Sequence, residues 1–172
     1  LTKLINRFLT RMTNVIIANG GTIDKFMGDC IMAFWNAPIN VKNHQMLAVM
    51  TASQMQTELA RLNEELTKEK LPNINIGIGI NTGKALVGNM GSEMKMNYTM
   101  TGDKVNLTAR LESSAKQLGI VIQVSDTIYN KAKDDFMSFV KCVWPEFIEG
   151  SHHRHIAKKF NQLANGEINR LI

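Results

Sequence analysis

The chain has 172 residues, 44% hydrophobic and 20% charged, with a formal net charge of +5. That balance describes one globular domain with room for a substantial core and excludes a disordered chain. No apolar run reaches the ~20 residues that cross a bilayer. Two cysteines, Cys30 and Cys142, have neither disulfide-framework nor metal-ligand spacing and suit a reducing compartment. The positive charge suits an anionic small molecule, while no basic run interleaved with aromatics points to nucleic acid.

Residues 1–19 read as an amphipathic helix rather than a secretory leader. Leu4, Phe8, Met12 and Val15, with Ile5, Leu9 and Ile16 beside them, recur at helical spacing. Asn19-Gly20-Gly21 ends the helix. Two short β-runs follow, Thr22 to Phe26 and Cys30 to Trp35, joined through Met27-Gly28-Asp29. Gly28 provides the freedom a tight hairpin needs, and Asp29 stands at the tip as an accessible carboxylate. Lys25 lies four residues earlier.

Asn36-Ala37-Pro38 stops the second run, and a long helix is predicted over 43–68. Its apolar stripe is Ala48, Ala52, Met55, Leu59, Leu62 and Leu66, with Glu58, Arg61, Glu64, Glu65 and Lys68 mostly solvated. Ile74, Ile76, Ile78 and Ile80 alternate with small polar residues, which predicts a strand. Gly77 and Gly79 on its other face leave room for a close neighbour, backbone or ligand. Ala85–Met90 reads as the second arm of a hairpin over 74–90. Gly88–Ser92 reads as a flexible loop, and Met96–Thr101 as a strand.

Gly102-Asp103 opens a helix to Leu118, with Leu107, Leu111, Ala115 and Leu118 as its buried stripe. Asn106 and Arg110, at i and i+4, share another face. Ile120–Val124 is a strand, and Ser125 caps a short helix through Lys133. Beyond it the pattern loses its period, and the tail histidines His152, His153 and His155 lack a carboxylate or Cys at ligand spacing. The order αββαβββαβα is a mixed α+β pattern built on hairpins.

Two polar clusters ask for a joint explanation. One is Lys25 with Asp29; the other runs from Asn97 to Arg110. Each alone is also an ordinary turn or a solvated helix face. Together they suit phosphoryl chemistry on a nucleotide. Mg²⁺ binds through one or two carboxylates plus substrate phosphates, and a guanidinium beside an amide offers fixed donors to phosphate or ribose oxygens.

The stretches GGTIDKFMGDCIMAFWNAP, INIGIGINTGKALVGNMGS and YTMTGDKVNLTARLES, in that order, resemble the consecutive signatures of class III nucleotidyl cyclase catalytic domains, the adenylate/guanylate cyclase family. The resemblance covers about residues 1–133, leaving 134–172 as a divergent segment. It implies a ferredoxin-like α+β domain acting as a head-to-tail homodimer with shared active sites. It further implies that Asp29 holds Mg²⁺ or Mn²⁺, two ions in the family. Asn106 is implied to orient the ribose, Arg110 to stabilise charge on the phosphates, and Lys25 with Thr99 to select the base.

Adenine presents an acceptor at N1 and a donor at its 6-amino group, and guanine reverses both. Lys25 only donates and Thr99 can accept, so the pair suits ATP. The activity implied is adenylate cyclase, from ATP to cyclic AMP and pyrophosphate, in intracellular signalling. The expected location is cytoplasmic, in a parent protein that membrane segments can anchor. The family's other metal aspartate, on a strand before the opening helix, has no match in these residues, which points to sequence upstream of Leu1, and the family's triphosphate-binding lysine, on a strand near its C-terminus, has no match in the divergent ending. The alternatives are a catalytically incomplete cyclase-like domain that binds nucleotide or a partner cyclase domain, or a guanylate cyclase. A diguanylate cyclase fits less well, because Gly20-Gly21 is followed by Thr-Ile-Asp rather than an acidic pair.

Overall fold

The computed structural model describes residues 1–134, whose helices and strands follow the expected order αββαβββαβα. Helix α1 (Thr2–Ala18) buries Phe8, Met12 and Ile16, the stripe its spacing predicts. The hairpin of β1 (Thr22–Met27) and β2 (Cys30–Phe34) turns at Gly28, whose φ of 65° favours glycine, and Asp29. Its ladder is irregular: Ile23 pairs with Ala33 and Lys25 with Met32, which leaves Asp24 as the extra residue of a β-bulge.

Helix α2 (His44–Lys68) serves two apolar clusters. Leu59, Leu62 and Leu66 pack on Phe8 and Met12, while Ala48, Val49 and Ala52 pack with Ile80 and Ile128. Glu58 and Glu65, expected among the solvated residues, are instead half-buried in ion pairs that tie α2 to α1. Arg11 reaches Glu58 at 3.1 Å and Glu65 at 2.7 Å, and Arg7 reaches Glu69 at 2.8 Å.

Several strand expectations are corrected. The four-isoleucine run is a strand only at β3 (Ile78–Ile80). The backbone of Ile74 is occupied by Asn63, whose amide donates to the Ile74 carbonyl at 2.9 Å and accepts from its N–H at 2.8 Å. The predicted 74–90 hairpin does not form: β3 pairs in parallel with β6 (Ile122–Val124). Gly88–Ser92 is no loop but part of β4 (Leu86–Ser92), which pairs antiparallel with β5 (Lys95–Thr101). The six strands thus form three two-stranded sheets. A cavity of about 320 Å³ lies between β2 and β3, lined by Ile31, Ala33, Ile78 and Ile80 and by Ala48 and Ala52 of α2.

Helix α3 (Asp103–Leu118) begins after Gly102 and carries Asp103 in its first turn. Its predicted stripe is buried only at Ala115; Leu107 and Leu111 are half-buried, and Leu118 is exposed. Glycine explains this, because α3 meets β3 through its backbone. A Cβ on Gly79 would lie 2.5 Å from the Glu112 nitrogen and 2.6 Å from the Thr108 carbonyl oxygen. The room left by Gly79 is therefore taken by backbone, that left by Gly77 by the Lys116 side chain, and large stripe residues are not needed for the contact.

Helix α4 (Asp126–Asp134) is not capped by the Ser125 hydroxyl, which is buried without a hydrogen-bond partner. Instead the Ser125 carbonyl accepts from the N–H groups of Ile128 and Tyr129, each at 3.0 Å. Lys141, Cys142 and the tail histidines lie outside the described residues.

Candidate nucleotide site

The site begins at the bulge in β1. In a regular strand Asp24 and Lys25 would point to opposite faces. The extra residue breaks that alternation, and Lys25 Nζ lies 3.4 Å from Asp24 Oδ1. The Asp24 side chain is fully buried, whereas that of Lys25 is 44% exposed. On the other side Asp24 meets β5. The Thr99 hydroxyl lies 2.9 Å from Oδ1 and 2.7 Å from Oδ2, sharing its single proton between them, and the Met100 N–H donates to Oδ2 at 3.0 Å.

A buried carboxylate is tolerated when donors of this kind surround it. Lys25 and Thr99, 74 positions apart, are therefore brought to one spot by a residue between them that the sequence reading passed over. A signal was present. Apolar and polar residues alternate from Thr22, and the alternation fails at Asp24-Lys25, where two polar residues stand together. The Phe34 ring, 6.2 Å from that of Tyr98, packs β5 against the first hairpin beside this group.

Asp29 is exposed at the hairpin tip, near the C-terminal half of α3. Lys116 is held above the ordinary lysine range by its hydrogen bond to Glu112, with Asp29 adding to the negative field. The Cys30 thiol is pushed up, chiefly by burial and then by the charge of Glu112, so it is poorly suited to act as a thiolate. Asn106 and Arg110 lie exposed on α3, one turn apart. Among the described residues, no hydrogen bond or ion pair joins Asp29 to Asn106 or Arg110.

Among the described residues no group of three or more His, Cys, Asp or Glu is arranged to hold a metal. Asp24 is committed to Thr99, Met100 and Lys25, which leaves Asp29 as the accessible carboxylate of the hairpin. One accessible carboxylate fits a hard divalent cation that takes its remaining ligands from substrate phosphates and water.

The family model described as the adenylate and guanylate cyclase catalytic domain matches residues 1–157. Adenylate cyclase 1 of Rhizobium meliloti is 32% identical over 131 residues, 76% of this chain and 20% of that protein. The chain therefore spans about a fifth of the length of that curated relative. Among solved structures, the adenylyl cyclase CyaB from P. aeruginosa superposes with a TM-score of 0.70 at 35% identity, covering 78% of this chain and 69% of that one. The guanylyl cyclase Cya2 superposes at 0.69 with 38% identity, covering 76% and 66%. Among the described residues no helix is long and apolar enough to cross a membrane. The chain belongs to the family of adenylate and guanylate cyclase catalytic domains.

Proposed function

We propose that this chain is an adenylate cyclase catalytic domain, converting ATP to cyclic AMP and pyrophosphate. The observation that carries this reading is the meeting of Lys25 and Thr99 at Asp24. A side chain that only donates and a hydroxyl that has committed its proton face the base together. Adenine offers N1 as acceptor and its 6-amino group as donor, so both contacts are satisfied; guanine would leave both mismatched. Each such mismatch costs ~1–3 kcal/mol, enough for a preference of one to two decades or more.

In the reaction the ribose 3′-oxygen loses its proton to solvent water and bonds to the α-phosphorus, the bond from that phosphorus to the α–β bridging oxygen breaks, and pyrophosphate leaves with its electron pair. Asn106 holds the ribose so that the hydroxyl lies in line. Arg110 donates charge-assisted hydrogen bonds to oxygens on which negative charge builds. Positioning carries most of the catalysis in such transfers. Asp29 is the residue that would hold Mg²⁺ or Mn²⁺, which supplies charge neutralisation at the phosphates when bound.

Asp29 and the Asn106–Arg110 pair are exposed and unconnected within one copy, which supports a head-to-tail dimer in which one protomer's Asp29 faces the other's α3. The test is cyclic AMP formation by the dimeric parent protein with ATP and Mn²⁺. Product that disappears in Asn106→Ala and Arg110→Ala supports the reading, and no product refutes it. A second reading, a nucleotide-binding domain without turnover, is favoured by the single accessible carboxylate. Calorimetry showing ATP binding without product would select it.

A further inference from the structure

The group around Asp24 bears on which base the site accepts, and the inference below rests on the adenylate reading. A free threonine hydroxyl is ambivalent: it can turn its proton toward a ligand acceptor, or turn away and accept. A site built from Lys25 and an unconstrained Thr99 would therefore reject guanine at one contact only. At the other, the Thr99 hydroxyl would rotate and donate to the 6-oxygen.

Asp24 removes that freedom. Its two oxygens lie 2.9 and 2.7 Å from Thr99 Oγ, and its side chain is fully buried, with no water to compete for the proton. The carboxylate can only accept, so the hydroxyl must donate to it. What remains for a ligand is a pair of oxygen lone pairs. The same carboxylate lies 3.4 Å from Lys25 Nζ, holding the second selector near the first. The Met100 N–H, at 3.0 Å from Oδ2, fixes the carboxylate against β5 so that it cannot swing away. The bulge is what makes the arrangement possible, since Asp24 is the one residue of β1 without a partner in the β2 ladder.

We propose that Asp24 is a specificity-determining positioning residue: by taking the Thr99 proton it turns Thr99 into an obligate acceptor for the 6-amino group of adenine. Asp24 touches no substrate. It acts by removing from Thr99 the choice that would otherwise admit guanine.

The proposal is tested by competition binding with Mn²⁺ on the whole chain, using displacement of a fluorescent ATP analogue. The probes are ATP, GTP and purine riboside triphosphate, which lacks the 6-substituent. In the natural chain ATP should displace the analogue about tenfold better than purine riboside triphosphate, and Thr99→Val should remove that difference. Equal displacement by the two in the natural chain would overturn the proposal without any variant being made. Asp24→Asn, nearly isosteric, presents an amide that can donate to Thr99 and frees its proton for the ligand. The ATP:GTP ratio should then fall about tenfold or more, and the change should vanish in the Thr99→Val background.

A purely structural Asp24 would weaken all three nucleotides alike and leave the ratios unmoved, which overturns the proposal. If Thr99→Val and Lys25→Glu move the ratio while Asp24→Asn does not, Asp24 alone is refuted and the adenylate reading survives. If none of the three substitutions moves it, or no nucleotide binds, the adenylate reading falls and the proposal with it.

Discussion

A Cβ on Gly79 would stand 2.5 Å from the backbone nitrogen of Glu112, closer than a strand residue with a side chain can approach a helix. Through this contact β3 seats α3, the helix that carries Asn106 and Arg110. Gly79→Ala should destabilise the fold by ~1–3 kcal/mol, because both near atoms are backbone and cannot turn aside. Gly77→Ala is the control. Its Cβ would meet the flexible Lys116 side chain at 3.0 Å, which can move, so its cost should be smaller. Urea unfolding of the two variants checks the order.

On the proposed adenylate reading, Asn106→Ala and Arg110→Ala should each lower cyclic AMP formation by about a hundredfold or more, the range lost when a donor to a developing charge is removed. Both side chains are exposed in one copy, so neither change should lower the melting temperature appreciably. Product assays beside thermal melts separate the two effects.

Lys25→Glu combined with Thr99→Cys should shift preference from ATP toward GTP by about one to two decades. The new glutamate would lie close to the buried Asp24 carboxylate, where like charges repel. Total activity should therefore fall even as the ratio inverts. Relative kcat/KM for the two nucleotides is the measurement, and an unchanged ratio would mean that these two positions do not read the base.

Between α1 and α2, the Glu65 carboxyl is held below its ordinary range by hydrogen bonds from Arg11 first and Arg7 second. A carboxyl depressed in the folded state contributes stability that is fully present above its unfolded value, about 4.3. That contribution is lost as pH falls through the lower folded value. Glu65→Gln should therefore be less stable than the natural chain at pH 7 in low salt. The difference should close below about pH 4 and shrink in concentrated salt, because the network is partly exposed. Thermal melts across pH and salt check both trends.

Much of the architecture is legible in the residues themselves. Helical periodicity marks α1 and α2 closely, and Gly28-Asp29 between two apolar runs marks the first hairpin. Pairing partners are harder to read. The parallel partner of β3 is β6, some forty positions away across two strands and a helix. No local pattern announces such a pairing, and local spacing points instead to the nearest arm, 85–90. Gly88–Ser92 suggests a loop because glycine and asparagine are weak strand formers, yet the ladder to β5 overrides that preference.

The same limit applies at the site. Lys25, Asp29, Thr99, Asn106 and Arg110 stand out through the resemblance of their stretches to the cyclase signatures. Asp24 does not, because its meaning lies in a threonine 75 positions downstream.

The bulge at Asp24 turns the meeting of Lys25 and Thr99 into a matter of strand length. Removing Asp24 would leave Lys25 opposite Met32 but take away the carboxylate that Thr99 and Lys25 share. The two selectors therefore cannot be transplanted into another scaffold as a pair of letters. A recipient whose strand lacks the inserted position would receive the two side chains without the carboxylate that gathers them, and anyone redesigning this pocket must move the insertion together with them.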